Sequence, residues 1–250
     1  MIIRSDEPLA KELTAFIKGG DTVSLRRLLE SDPALTAARI VDEKGVGRTL
    51  LHIVSDWPGH FPRVAETIRL LANFGSDLNA AVTGVDWHQE TALHGAASCG
   101  DVTAMEALLD CGADIEAPGA VFTGGTAMSD AVIFAQWDAA RLLHRRGART
   151  TFSQAAGLGL LDRVAAFYEE TAAPSTPHPS TPPPSTPPPS KEAATMALWH
   201  ACRGGQLETV QFLIGKGADR NWVGWDNLTP LDGAVQSGNS ALVEWLRGLS

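Results

Sequence analysis

At 250 residues the chain has room for one or two domains, and 44% hydrophobic residues are enough for a sizeable core. Lysine and arginine number 20 against 29 aspartates and glutamates, a formal net charge of -9. That balance leaves no basic footprint for nucleic acid and no polybasic attraction to anionic lipid.

The chain opens on Met-Ile-Ile-Arg-Ser-Asp-Glu-Pro, which is charged and lacks an apolar h-region, so no secretory signal is expected. No apolar run approaches the roughly 18 residues needed to span a bilayer, and no membrane partner is expected. A first repeat is expected over residues 9–39. There Gly20-Asp21 followed by Leu25, Leu28 and Leu29 has the layout of Gly100-Asp101 followed by Met105, Leu108 and Leu109. Next comes Thr49-Leu-Leu-His52-Ile-Val54, and the same pattern returns as Thr91-Ala-Leu-His94-Gly-Ala96, Thr126-Ala-Met-Ser129-Asp-Ala131 and Thr229-Pro-Leu-Asp232-Gly-Ala234. A degenerate copy is Met196-Ala-Leu-Trp199-His-Ala201. Each copy is followed by a turn and a second apolar stretch, and most of these stretches close at a glycine: Gly75, Gly112, Gly147 or Gly217.

The small residues of successive copies, Val54, Ala96, Ala131, Ala155, Ala201 and Ala234, lie 42, 35, 24, 46 and 33 residues apart. The short and long intervals together equal two of 35, so the repeat around Phe152–Tyr168 lacks a hairpin before it and carries an insertion after it. That insertion, 171–190, holds nine of the fifteen prolines in a Pro-Ser-Thr-Pro pattern. Such a segment favours polyproline II at about 3.1 Å per residue, as a strap or a ligand for a proline-binding domain. The domain reading is therefore 1–170, with five repeats, a linker over 171–190, and 191–250, with two more repeats. Two repeats are too few to stand alone, so 194–250 is expected to dock on the preceding one. The 42-residue interval carries extra loop at 56–62 and 81–86.

These copies resemble the ankyrin-repeat family, whose signature is T-P-L-H-x-A at a period of about 33 residues. The resemblance implies an all-α solenoid, an ankyrin-repeat array of about seven helix-pair units with short β-hairpin loops. The threonines then sit at helix N-caps, Pro230 at a first helical position, and the glycine stops at left-handed helix ends. His52 and His94 are expected to tether adjacent hairpins by hydrogen bonds.

Function in such an array is expected on the face made by hairpin tips and first-helix ends. Four residues before the motif threonines stand Trp87, Phe122 and Trp225, three large aromatics at one register position. His88, Thr123 and Asp226 lie beside them and Trp222 is close by; the first-helix ends are Asp56/Trp57, Ser98/Cys99, Ile133/Phe134, Gly157/Leu158, Arg203/Gly204 and Gln236/Ser237. The expected partner-binding residues are Trp87, His88, Phe122, Trp225, Trp222, Asp226, Asp56 and Trp57. Rings of this kind flanked by polar groups make interface hot spots, or else pack on one another to stiffen the array. Trp137, Trp199 and Trp245 read as core or cap, and His144-Arg145-Arg146 as a complement to a helix dipole.

The competing class is an enzyme, or a small-molecule or metal site, in the His/Asp-rich repeats around 52–94: His52, Asp56, His60, Asp86, His88 and His94. Against it, the chain holds no H-E-x-x-H, P-loop, G-x-S-x-G or paired-cysteine metal spacing. His88-Gln89-Glu90 has an H-x-E form without the C-x-x-C that would give it meaning. The three cysteines, Cys99, Cys111 and Cys202, cannot build a disulfide framework and read as reduced thiols. The expectation is a cytoplasmic, monomeric, non-catalytic scaffold, with no metal or cofactor, that binds another protein. A secreted effector is a third option that no sequence feature marks.

Overall fold

The computed structural model describes residues 1–84, 89–169, 188–224 and 226–249. The chain divides into two compact bodies, Met1–Arg149 and Thr150–Ser250.

The first body begins with β1 (Ile2–Arg4), α1 (Pro8–Gly19), α2 (Thr22–Ser31) and a 3-10 turn at Pro33–Ala37. A hairpin of β2 (Arg39–Val41) and β3 (Gly47–Thr49) follows, then α3 (Leu50–Ser55), α4 (Val64–Asn73), α5 (Ala92–Cys99), α6 (Val102–Asp110), α7 (Ala127–Ile133) and α8 (Trp137–Arg145). The first helices stack as α1, α3, α5 and α7, and the second helices as α2, α4, α6 and α8. Each second helix presents one apolar stripe: α2 buries Leu25 and Leu29, and α6 buries Ala104, Met105, Ala107 and Leu108. Burying a leucine of this kind stabilises by about 1.5–3 kcal/mol. Fully buried alanines at 96, 97, 131, 139 and 140 let the helices approach closely.

One element was not foreseen. β1 adds in parallel to the hairpin, Ile3 opposite Ile40, giving a three-stranded sheet in the order β1-β2-β3. A three-residue strand is too short to leave a periodic signal in sequence, and only Ile3 of its three side chains is buried.

The second body holds α9 (Phe152–Gly157), α10 (Leu161–Glu169), α11 (Lys191–Arg203), α12 (Leu207–Gly215), α13 (Pro230–Ser237) and α14 (Ser240–Arg247). Helix α11 packs on α9 and on α13, and α10 packs on α12, so the last two helix pairs dock on the pair before them. That pair, expected to end the N-terminal group of repeats, lies within the second body. The cap of α9 is Thr151, with Gln154 closing its box, so Ala156 rather than Ala155 holds the register of Ala96. Helix α11 also starts earlier than the Met196 copy suggests, because the Ser190 hydroxyl accepts from the Ala193 amide at 3.2 Å. Most of the expected linker, 170–187, lies outside the described residues. No helix among the described residues is long and apolar enough to cross a membrane.

Candidate functional site

The site rests on how successive repeats are tied together. In α3 the Thr49 amide donates to His52 Nδ1 at 3.2 Å, which leaves the ring proton on Nε2. That Nε2–H donates to the Glu90 carbonyl at 2.9 Å, in the stretch before α5. The same arrangement recurs one repeat on: the Thr91 amide donates to His94 Nδ1 at 3.1 Å, and Nε2 donates to the Gly125 carbonyl at 3.3 Å. Burial pushes both imidazoles down to about 4, against the pull of their carbonyl partners, so both are neutral near pH 7. The tether role read from the sequence is what these two histidines perform, and both ring nitrogens of each are occupied.

The Gly125 tether holds a tight loop closed by bonds from the Gly119 and Ala120 amides to the Gly125 carbonyl, at 2.8 and 2.9 Å. Phe122 stands out from this loop with 69% of its surface exposed. Its ring lies 5.9 Å from that of Phe134, itself 42% exposed at the end of α7. A hairpin position and a first-helix end thus form one aromatic pair on the surface. In the same helix α7 Asp130 is completely buried, and the Val121 amide, too poorly placed for a full hydrogen bond, is the one donor near its oxygens among the described residues. Burial raises its carboxyl to about 7, the Glu90 charge adds to the rise, and the Val121 amide opposes it. Asp130 occupies the position that Gly95 and Gly233 hold in other copies, and the sequence reading passed over it. A charged residue replacing glycine at a buried register was the signal that could have found it.

Trp57, 78% exposed, follows Asp56 on the loop between α3 and α4. That loop is pinned downstream, where the His60 amide donates to the buried Asp101 carboxylate at 2.6 Å. Asp56 pairs with Lys18 of α1 at 3.5 Å. Between α1, the β2–β3 hairpin and α3 lies a groove of about 440 Å³ with Lys18 and Asp56 at one end.

In the second body Trp222 is half-buried, edge-on to Trp199 at 6.0 Å, so the packed alternative describes it. Asp226 is exposed and accepts from the Leu228 amide at 3.1 Å. Trp199 is buried with Arg203 over its face at 4.5 Å, while Trp137 and Trp245 are half-buried. Trp87, His88 and Trp225 lie outside the described residues, as does Asp86. Among the described residues no three His, Cys, Asp or Glu side chains are grouped to hold a metal. All three thiols are free, and burial raises each of them, Cys202 to about 12.

A family model described as ankyrin repeats matches the chain in three copies, over residues 13–119 and 185–249. The chain belongs to the ankyrin-repeat family. No curated protein matches it. The unmatched stretch of this ankyrin chain contains α7 to α10, where Ser129-Asp130 replaces the family's His-x and where Thr151 follows Gly147 with no room for a hairpin. The helix pairs persist there although the motif has decayed.

Proposed function

We propose that the chain is a non-catalytic scaffold of seven ankyrin units that binds another protein through its hairpin tips and first-helix ends. Ankyrin repeats generally mediate protein–protein interaction. The observation that carries the reading is the Phe122–Phe134 pair: two large rings left in water at 5.9 Å, on a loop fixed from below by His94. Exposed aromatics on a preorganised support are the usual anchors of an interface, because little ordering entropy remains to be lost on binding. Trp57 is a second anchor, and Trp87, His88, Asp226 and Trp225 extend the same register. Fourteen α-helices in sequential pairs among the described residues support the unit count, and three thiols outside any disulfide fit a reducing, cytoplasmic setting. We read the protein as a monomer.

The test is capture of partners from source lysate by the intact protein and by the double variant Phe122→Ala/Phe134→Ala. The variant should keep its helical content and melting temperature and lose its partners. A variant that unfolds, or that captures the same proteins as before, would show the pair to be structural.

A further inference from the structure

The groove between α1, the hairpin and α3 has a charge pattern that selects its occupant. Its floor is apolar, with Ile40 and Ile53 buried beneath it. Its walls carry three cations, Lys11, Lys18 and Arg48, and two carboxylates, Asp42 and Asp56. Both carboxylates are already engaged. Asp42 takes Arg48 at 3.1 Å together with the Lys44 and Val46 amides, each at 2.9 Å, and Asp56 takes Lys18 at 3.5 Å. The Lys11 ammonium has no ion pair or hydrogen bond among the described residues. The lining therefore carries one more cation than carboxylate in a chain whose formal charge is -9, and the carboxylate that acts on Lys11 from outside the groove, Asp6, is itself paired with Arg4 at 3.2 Å.

Its length is set by α1. Lys11, Ala15 and Lys18 lie at i, i+4 and i+7 on one helix face, which at 1.5 Å per residue spans about 10 Å. An extended chain rising about 3.3 Å per residue covers that distance with three residues. In such a chain alternate side chains face the same way, so an acidic residue and an apolar one two positions along both point into the groove.

We propose that this groove binds an extended segment of a partner protein in which an acidic residue and an apolar residue stand two positions apart, with the carboxylate on Lys11 and the apolar side chain over Ile53. Trp57, which directly follows Asp56 and is exposed, is assigned to the segment's next apolar residue. The chain's negative charge argues against a nucleic-acid backbone, which one leftover cation could not hold. The proposal rests on the protein-binding reading above and gives it a second, chemically specified contact remote in sequence from Phe122.

The probe is the N-acetylated hexapeptide Ser-Glu-Ser-Leu-Ser-Leu (the Glu/Leu peptide), titrated into the ¹⁵N-labelled full chain, with the analogue carrying Lys in place of Glu and free succinate as parallel arms. The Glu/Leu peptide should shift the backbone amides of Ser5, Thr14, Lys18 and Ile53 saturably, and less so as salt rises from about 50 to about 500 mM. Lys11→Gln should weaken binding about threefold and Lys11→Glu about tenfold, both on an exposed helix position that leaves the fold intact. No saturable shift with the Glu/Leu peptide, or equal affinity of the Lys11→Glu variant, overturns the proposal. So does succinate binding as tightly as the peptide, which would make the groove a small-anion site. If Phe122→Ala/Phe134→Ala loses its captured partners while the peptide does not bind, only the groove assignment fails. If the peptide binds as expected and that double variant captures everything, the aromatic-pair reading fails instead.

Discussion

The two bodies solve one problem at the same register position with opposite chemistry. Three residues after the cap of a first helix, the side chain must reach the hairpin of the next repeat. In the first body His52 and His94 do so by hydrogen bonds to Glu90 and Gly125. In the second body the repeat register of His52 and His94 is held in α11 by Trp199, whose ring packs edge-on to Trp222 and against Gly224 in the turn before α13. A histidine link is directional and costs little volume; a tryptophan link is bulky and needs space made for it. Gly224 is that space, since a Cβ there would fall 2.7 Å from the indole. The register thus fixes where a contact falls, and the residue chosen decides whether it is polar or apolar.

Cutting the apolar link should have the largest effect. Trp199→Ala removes a buried ring and should cost about 3–5 kcal/mol in chemical denaturation. Gly224→Ala should cost about 1–3 kcal/mol by overpacking the same place. A loss below about 1 kcal/mol for Trp199→Ala would break the comparison, because the ring would then carry no link.

The polar link should be weaker and sensitive to pH. His94→Ala leaves the Thr91 amide without its partner, while the Gly125 carbonyl keeps the Gly119 and Ala120 amides, and should cost about 1–2 kcal/mol. Both histidines titrate near 6.5 when unfolded and near 4 when folded. Their contribution is complete above pH 6.5 and declines as pH falls from 6.5 towards 4, where the unfolded chain binds more protons. Hydrogen exchange should show amides of α3 and α5 losing protection between pH 7 and 5. A His52→Ala/His94→Ala variant should lose that part of the pH dependence. An unchanged dependence would assign it elsewhere, with the buried His200 of the second body, also held near 4, the first place to look.

Asp130 works in the opposite sense within the same body. Its carboxyl is raised from 3.8 to about 7, so its contribution is present below pH 3.8 and lost as pH rises through 7. Asp130→Asn should therefore stabilise by about 1 kcal/mol or more at pH 8, with the gain shrinking towards pH 5. Thermal melts at the two pH values check this, and destabilisation at pH 8 would mean that the carboxylate has a partner it needs.

The smallest expected effect sharpens what the repeats share. At Gly75, Gly112, Gly147 and Gly217 a Cβ would meet nothing within 4 Å, yet φ lies between 89° and 102°. Conformation alone demands glycine there. Gly112→Ala should cost about 1 kcal/mol, and Gly112→Asn less, since asparagine tolerates the left-handed region better. Equal costs would point to a hidden steric contact.

What the sequence determined by itself was whatever a repeat writes several times over. The threonine caps, the glycine stops, the helix pairs and the histidine tethers are local or nearest-neighbour features, and each copy confirms the others. Features that occur once needed the tertiary structure. β1 is three residues long and gains its meaning only beside β2, 37 positions later in register. The Ala155-to-Ala156 shift was hidden because two adjacent alanines look alike until the Thr151 cap selects one. Phe122 was visible as a candidate and Phe134 only as one of six first-helix ends; folding alone sets them 5.9 Å apart, and only burial turns Asp130 from a surface-type residue into a carboxyl raised to about 7. The physical reason is common to all of these: propensity and periodicity act along the chain, whereas proximity and desolvation are properties of what packs around a residue.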